Sequence, residues 1–378
     1  MAIDLQQVEK KEKKTGKKTP FLKKLYNSLS EISTISNKDK QFFMQNLKVM
    51  VKSGLPLDKA LKTLSQQTKN KKFKKLLFNL YKDTEKGVSL TESLKKNKGI
   101  FNNLIVSMIE SGEISGHLDE VLDQIYIQIK TSNELKSRIR SAMTYPIIVI
   151  IAMTGIGIGM LVFVIPKITA IFDQMNAELP FATRFLINFS DAIVNNGLIT
   201  ALGFIGFISL FISFIKSKKG KKIFHYVLLR IPVFGAIIKK INLAKFTRTL
   251  SSLIKTDIPI VKTFEITSET LSNYHYKKAM QESAIKLKEG VNISDALSEY
   301  EILFPPVIIQ MISTGEQTGK IDEILGELAS FYEDEIDRIM KSLPSIIEPI
   351  LMLLLGGAVA FMALAIIMPM YNLTEQFQ

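Results

Sequence analysis

Residues 145–166 read YPIIVIIAMTGIGIGMLVFVIP, and residues 348–369 read EPILMLLLGGAVAFMALAIIMP. Each stretch has proline second and last, with no charge between the two prolines. A helix of about 20 apolar residues crosses the ~30 Å hydrocarbon layer of a membrane. Charge-free runs continue over Pro146–Pro166, bounded by Arg140 and Lys167, and over Pro349–Thr374, bounded by Glu348 and Glu375. A third run, Ala192–Ile215, lies between Asp191 and Lys216. Helices buried in soluble cores are shorter and seldom lack every charge, so these runs predict three transmembrane helices.

The two proline-framed stretches lie 203 residues apart, and this offset holds over the preceding hundred residues. Phe43, Leu47, Lys52, Pro56, Gly87 and Phe101 meet Phe246, Leu250, Lys255, Pro259, Gly290 and Phe304. Ser111-Gly-Glu-Ile-Ser-Gly116 meets Thr314-Gly-Glu-Gln-Thr-Gly319. The chain is therefore one bundle plus one span, written twice, with the second span returning the chain to its starting side.

Both copies have helical periodicity. Leu118, Val121, Leu122, Ile125 and Ile129 form one apolar stripe, matched by Ile321, Ile324, Leu325, Leu328 and Tyr332. Gly87 and Gly290 read as helix ends, with Ser89-Leu-Thr-Glu92 and Asn292-Ile-Ser-Asp295 starting the next helices. Strand and hairpin signals are missing. The expected fold is all-α: a polytopic membrane protein with three transmembrane helices and two repeated cytoplasmic bundles of about six helices each.

Lys and Arg near span ends stay on the cytoplasmic side. Lys130, Lys136, Arg138 and Arg140 precede the first span, and Lys216, Lys218, Lys219, Lys221 and Lys222 follow the second. The N-terminus is thus expected inside and the C-terminus outside. The predicted division is a basic tail at 1–37, a first bundle at 38–142 and a span at 143–166. A short outer loop at 167–191, a span at 192–215 and a basic linker at 216–242 follow. The second bundle occupies 243–345, the third span 346–374 and an outer tail 375–378. Lysines from Lys10 to Lys24 crowd the first tail, which is read as disordered.

The 378 residues contain no Cys, no Trp and three His, and carry a formal charge of +13. That composition removes thiolate metal sites and cysteine nucleophiles, and leaves little for imidazole chemistry. The charge is unevenly divided: 40–142 holds 19 basic and 10 acidic residues, whereas 243–345 holds 11 and 16. The two bundles therefore present different surfaces to partners. Thr314 to Lys320 fails as a phosphate loop because its glycines are too close and Ile321 follows the lysine. Ser115 stands one place late for a nucleophile elbow, and His117 is replaced by Lys320 in the second copy. Catalytic, cofactor-binding and metal residues are accordingly expected to be none.

Glu113 and Glu316, each between glycines, have two readings: a carboxylate capping the start of the following helix, or a partner contact on an exposed turn. The acidic run Glu333, Asp334, Glu335 and Asp337 reads as a solvated helix face. Gly155 with Gly159, and Gly356 with Gly357, offer close-approach surfaces in the spans.

These residues resemble the type II secretion system protein F family, the inner-membrane platform proteins of type IV pili and type II secretion systems. The resemblance covers about 40–378. It rests on Lys52-Ser-Gly54-Leu-Pro56-Leu57, Ser111 to Gly116, Tyr145-Pro146 and Val164-Ile-Pro166 in the first copy. In the second it rests on Lys255-Thr-Asp-Ile-Pro259-Ile260, Thr314 to Gly319, Glu348-Pro349 and Met368-Pro369. Asp257 stands where Gly54 does, and Glu348 where Tyr145 does. The resemblance implies a scaffold that couples a hexameric cytoplasmic assembly ATPase to insertion of pilin or pseudopilin subunits into a filament. Other inner-membrane machine components, membrane lipid and further copies of the chain are implied partners; nucleic acid is not. Partner-contact and turn candidates are Gly54, Pro56, Ser111, Gly112, Glu113, Gly116, Pro259, Gly315, Glu316 and Gly319. Membrane-border and packing candidates are Tyr145, Pro146, Gly155, Gly159, Pro166, Glu348, Pro349, Gly356, Gly357 and Pro369. The alternative is a small-molecule transporter on a duplicated unit, disfavoured by spans without charged residues.

Overall fold

The structure, a computed structural model, describes residues 34–97, 99–174 and 180–376, the side chains of 171–174 and 368–376 excepted. The Lys-rich segment from Lys10 to Lys24 lies outside the described residues. Every element among the described residues is helical. The described residues of Met1–Asn133 and Thr256–Ile258 form one compact unit, and those of Glu134–Lys255 and Pro259–Gln378 another.

The first copy contains α1 (Asn37–Lys52), α2 (Leu57–Gln67), α3 (Lys71–Glu85), α4 (Leu90–Lys96), α5 (Asn103–Ser115) and α6 (Leu118–Gly159). A π-helical turn, Met160–Val164, joins α6 to α7 (Ile165–Gln174). Then come α8 (Phe181–Val194), α9 (Gly197–Lys216) and α10 (Lys218–Arg230). The second copy contains α11 (Phe234–Ile254), α12 (Ile260–Thr270), α13 (Tyr274–Lys288), α14 (Ile293–Ser298), α15 (Pro306–Thr318) and α16 (Ile321–Gln376). Among the described residues each bundle thus has six helices, as the sequence predicts, and α12, α13 and α15 start and end 203 residues after α2, α3 and α5.

Capping residues set these boundaries. Ser36 Oγ accepts from Asp39 N–H while the Asp39 carboxylate accepts from Ser36 N–H, both at 3.0 Å, a reciprocal cap on α1. Asn70 and Asn102 cap α3 and α5 with their side-chain oxygens. Gly54 (φ 80°) turns the chain into Pro56 at the start of α2. Asp257 adopts φ 55° before Pro259 at the start of α12, so both copies make a left-handed turn despite the Gly-to-Asp change.

Aromatic residues fill equivalent core positions. Phe43, Phe73 and Phe101 meet pairwise at ring-centroid distances of 5.6, 6.1 and 6.4 Å. In the second copy Phe304 lies 5.0 Å from Phe246 and 5.5 Å from Tyr276. All six rings are buried, each contributing about 1.5–3 kcal/mol by area. The Tyr276 hydroxyl, the one polar addition, donates to the Leu303 carbonyl at 2.7 Å, and burial pushes it well above the usual tyrosine range. The apolar stripe of α6 enters the first core through Val121, Leu122 and Ile125, and that of α16 the second through Leu325, Leu328 and Tyr332.

Among the described residues, three helices are long and apolar enough to cross a membrane: Leu118–Ala170, which includes the π turn, Gly197–Lys216 and Ile321–Ile367. Pro146 and Pro349 sit inside uninterrupted helix, so bundle and span share one helical backbone in each copy. The region predicted as a short outer loop differs: helix persists through Gln174 and re-forms as α8. The second apolar helix begins at Gly197 rather than Ala192, because Asn195 and Asn196 interrupt the backbone between α8 and α9.

Candidate functional site

The Glu113 carboxylate accepts from the backbone N–H of Leu90 at 2.6 Å and of Thr91 at 2.9 Å. Glu316 repeats this on Ile293 N–H at 2.5 Å and Ser294 N–H at 3.0 Å, adding the Ser294 hydroxyl at 2.7 Å. Each glutamate therefore caps the short helix that starts 23 residues earlier, α4 or α14, and not the following helix as expected. The carboxylate meets the first free amides of a helix, where the helix dipole favours negative charge. In α4 it shares this role with Ser89, which accepts from Glu92 N–H at 3.1 Å. The Asn292 side chain makes no capping bond in α14, leaving the cap to Glu316.

The glycines around these carboxylates have separate jobs. The expected tight turn from Gly112 to Gly116 is instead helix through Ser115, with only Gly116 left-handed at φ 78°. Gly319 does the same at φ 70°. Gly112 and Gly315 lie inside their helices where the next helix crosses. A Cβ on Gly112 would stand 2.9 Å from the Val121 side chain and 3.3 Å from Leu118 Cα; one on Gly315 would stand 3.0 Å from Ile321 Cα. The Ser111 hydroxyl donates to the Thr256 carbonyl at 2.5 Å within the first unit.

Of the acidic run on α16, Glu333, Glu335 and Asp337 are paired, whereas Asp334 is exposed on a solvated face as expected. Arg248 of α11 grips Glu333 with two parallel bonds, 2.8 and 2.7 Å. Lys240 meets Glu335 at 2.5 Å, and Asp337 takes Arg138 at 3.1 Å and Lys341 at 2.7 Å. The Lys240 hydrogen bond holds Glu335 below the usual carboxylate range, and that of Lys341, with Arg138, does so for Asp337. These residues face basic partners from α11 and α6, which no spacing along α16 reveals.

In the membrane portion, Tyr145, Glu348 and most span side chains are exposed in the isolated chain. Cβ atoms at Gly155, Gly159, Gly356 and Gly357 would meet nothing within 4 Å. Packing concentrates where α8 crosses the ends of two spans: Leu186, Ile165 and Ala365 are buried together, with Leu161, Ala182, Ile187 and Met362 around them. Ser190 Oγ donates to Leu161 O at 2.5 Å and Thr183 Oγ1 to Ala365 O at 2.6 Å, close to Pro166 and Pro369 respectively. These two hydroxyls were missed in the sequence, although their seven-residue spacing places them on one helix face.

Two helical copies in one frame, each a bundle continuous with its span, match a known family. The family described as Type II secretion system (T2SS), protein F, covers residues 43–166 and again 246–369. The chain belongs to this family. The two matched segments are separated by the same 203 residues as the helices and the aromatic cores. Among curated relatives, the type IV pilus assembly protein PilC of Myxococcus xanthus is 34% identical over 91% of this chain and 82% of that protein. PilC of Thermus thermophilus is 33% identical over 89% and 82%. The type II secretion system protein F of Aeromonas hydrophila is 31% identical over 88% and 85%.

Proposed function

We propose that this family member is the inner-membrane platform of a type IV pilus or type II secretion machine, a scaffold without catalytic chemistry of its own. It couples a hexameric cytoplasmic assembly ATPase to insertion of pilin or pseudopilin subunits into a filament. The carrying observation is that the family match occupies both copies, while relatives sharing about a third of the sequence over most of its length are named for those machines.

Lysine placement supports a cytoplasmic N-terminus and both bundles on that side, with the C-terminus outside. The continuous helices α6 and α16 support a coupling role, since displacement of a bundle carries directly into its span. Because Glu113 and Glu316 are engaged in capping, the partner surfaces are better sought among exposed charges, basic on the first bundle and acidic on the second.

Residue-level cross-linking in native membranes tests this. Links from 40–142 or 243–345 to a cytoplasmic ATPase, with links from the spans to a pilin-like helix, are expected. Recovery of self-links alone while filaments are being assembled would refute the platform reading.

A further inference from the structure

We propose that α8 is a membrane-embedded helix lying in the plane of the leaflet at the Lys167 end of the spans, with Phe181, Phe185 and Phe189 against lipid acyl chains. This goes beyond the platform role and rests on the three-span fold. The contacts of α8 lie at hydrocarbon depth. Ser190 and Thr183 of α8 bond to Leu161 and Ala365, which lie five and four residues inside Pro166 and Pro369. At 1.5 Å per residue those anchors are about 6–8 Å inside the two prolines, and at least that far inside the charge-free stretches.

The same contacts fix the direction of the helix. In the repeat frame Ala365 corresponds to Val162, next to Leu161, so the two anchors lie at nearly one level of two equivalent spans. Thr183 and Ser190 are seven residues apart, about 10 Å along the axis, close to the 8–10 Å between packed helices. A helix whose two contacts, about 10 Å apart along its axis, fall on two spans at one level runs across them.

Both hydroxyls also meet carbonyls that lack a helical donor. Pro369 has no N–H, so the Ala365 carbonyl, four residues earlier, has no helical donor. In the first span the π turn sends Ile165 N–H to Met160 O, and the next donor in that pattern would be Pro166, leaving the Leu161 carbonyl unpaired. In hydrocarbon an unpaired carbonyl costs several kcal/mol. The hydroxyls of Thr183 and Ser190 supply the missing donors, which makes α8 a required part of the membrane structure.

The remaining faces fit that position. Thr183, Leu186 and Ser190 face the spans and are buried. Phe181, Phe185 and Phe189 form a second stripe, exposed by 85, 54 and 50%, and Arg184, Asn188 and Asp191 form a third. The stripes lie about a third of a turn apart, one for protein, one for acyl chains and one for headgroups and water. The aromatic stripe continues the lipid-facing surface of the spans, such as Phe163 at 71% exposure, so its occupant is the bilayer.

The natural chain has no Trp, so single tryptophans report without background. Phe185→Trp, Phe189→Trp, Asn188→Trp and, as a span reference, Phe207→Trp are reconstituted as full-length chains in phosphatidylcholine–phosphatidylglycerol vesicles. Emission is read with acyl-chain-brominated lipid and with aqueous iodide. Expected is a loss of Phe185→Trp and Phe189→Trp emission with brominated lipid comparable to that of Phe207→Trp, with Asn188→Trp quenched mainly by iodide. Iodide quenching at 185 and 189 while Phe207→Trp responds to brominated lipid would overturn the embedded helix alone. Failure of Phe207→Trp to respond would overturn the three-span fold with it.

Discussion

Thr183 Oγ1 donates at 2.6 Å to the carbonyl of Ala365, the residue whose helical donor is removed by Pro369. Thr183→Val keeps the shape and removes the donor, leaving a buried carbonyl unpaired at a cost of about 1–3 kcal/mol. Pro369→Ala restores an N–H to that carbonyl. The cost of Thr183→Val is therefore expected to shrink in the Pro369→Ala background. A double-mutant cycle read by denaturation in detergent measures this; equal costs in both backgrounds would contradict the pairing.

Glu316 is the side-chain cap of α14, whereas Glu113 shares α4 with Ser89. Glu316→Ala is expected to destabilise the second bundle by about 1–3 kcal/mol, and Glu113→Ala the first by less. Glu316→Gln keeps one acceptor oxygen and should fall between Glu316→Ala and the natural chain. Hydrogen exchange at Ile293 and Ser294 reports the loss directly, and unchanged protection in Glu316→Ala would refute the assignment.

Gly315→Ala places a methyl 3.0 Å from the Ile321 Cα, a backbone atom that cannot swing aside. Overpacking of this kind costs about 1–3 kcal/mol. Gly356→Ala meets nothing within 4 Å and should leave the folding of the isolated chain unchanged. Comparing melting temperatures separates the two. If Gly356→Ala also reduces filament assembly without a stability change, the glycine pair is a contact for another helix.

His225 Nδ1 accepts from Tyr274 N–H at 2.8 Å, which needs the neutral ring. Burial lowers its pKa from the ordinary 6.5, assisted by Lys221 and His275. A depressed pKa gives stability that is full above the unfolded value and lost as protonation is forced on the folded state. Stability is thus expected to decline as pH falls below about 6.5. His225→Gln should flatten that part of the curve, as followed by thermal unfolding between pH 7.5 and 5.

The duplicated design was legible because Gly, Pro and aromatic landmarks are local in sequence and keep one offset. Phe43, Phe73 and Phe101 line a core because the helices bearing them begin and end where their caps say. The destinations of long polar side chains were not legible. Glu113 reaches an amide 23 residues upstream, and Glu335 reaches Lys240 on another helix, since folding and not spacing brings them together. The helix α8 is hidden in the sequence because it lies between two charge-free runs in a stretch marked by Lys167, Arg184 and Asp191, and only the Thr183, Leu186, Ile187 and Ser190 periodicity carries its helical signal. Asp257, flagged as a departure, keeps the left-handed turn of Gly54 because aspartate tolerates it better than most side chains.

The helix α16 runs from Ile321 to Gln376, 56 residues or about 84 Å, without a cap between bundle and membrane. Its hydrogen-bond ladder nonetheless lacks two donors near the membrane border, since Pro344 and Pro349 have no N–H and leave the Met340 and Ser345 carbonyls without helical partners. Exchange protection along it is expected to dip over 340–349 and to rise again into the bundle core on one side and the span on the other. Bundle and span parts of one helix can therefore open separately, with the two prolines marking the border between them.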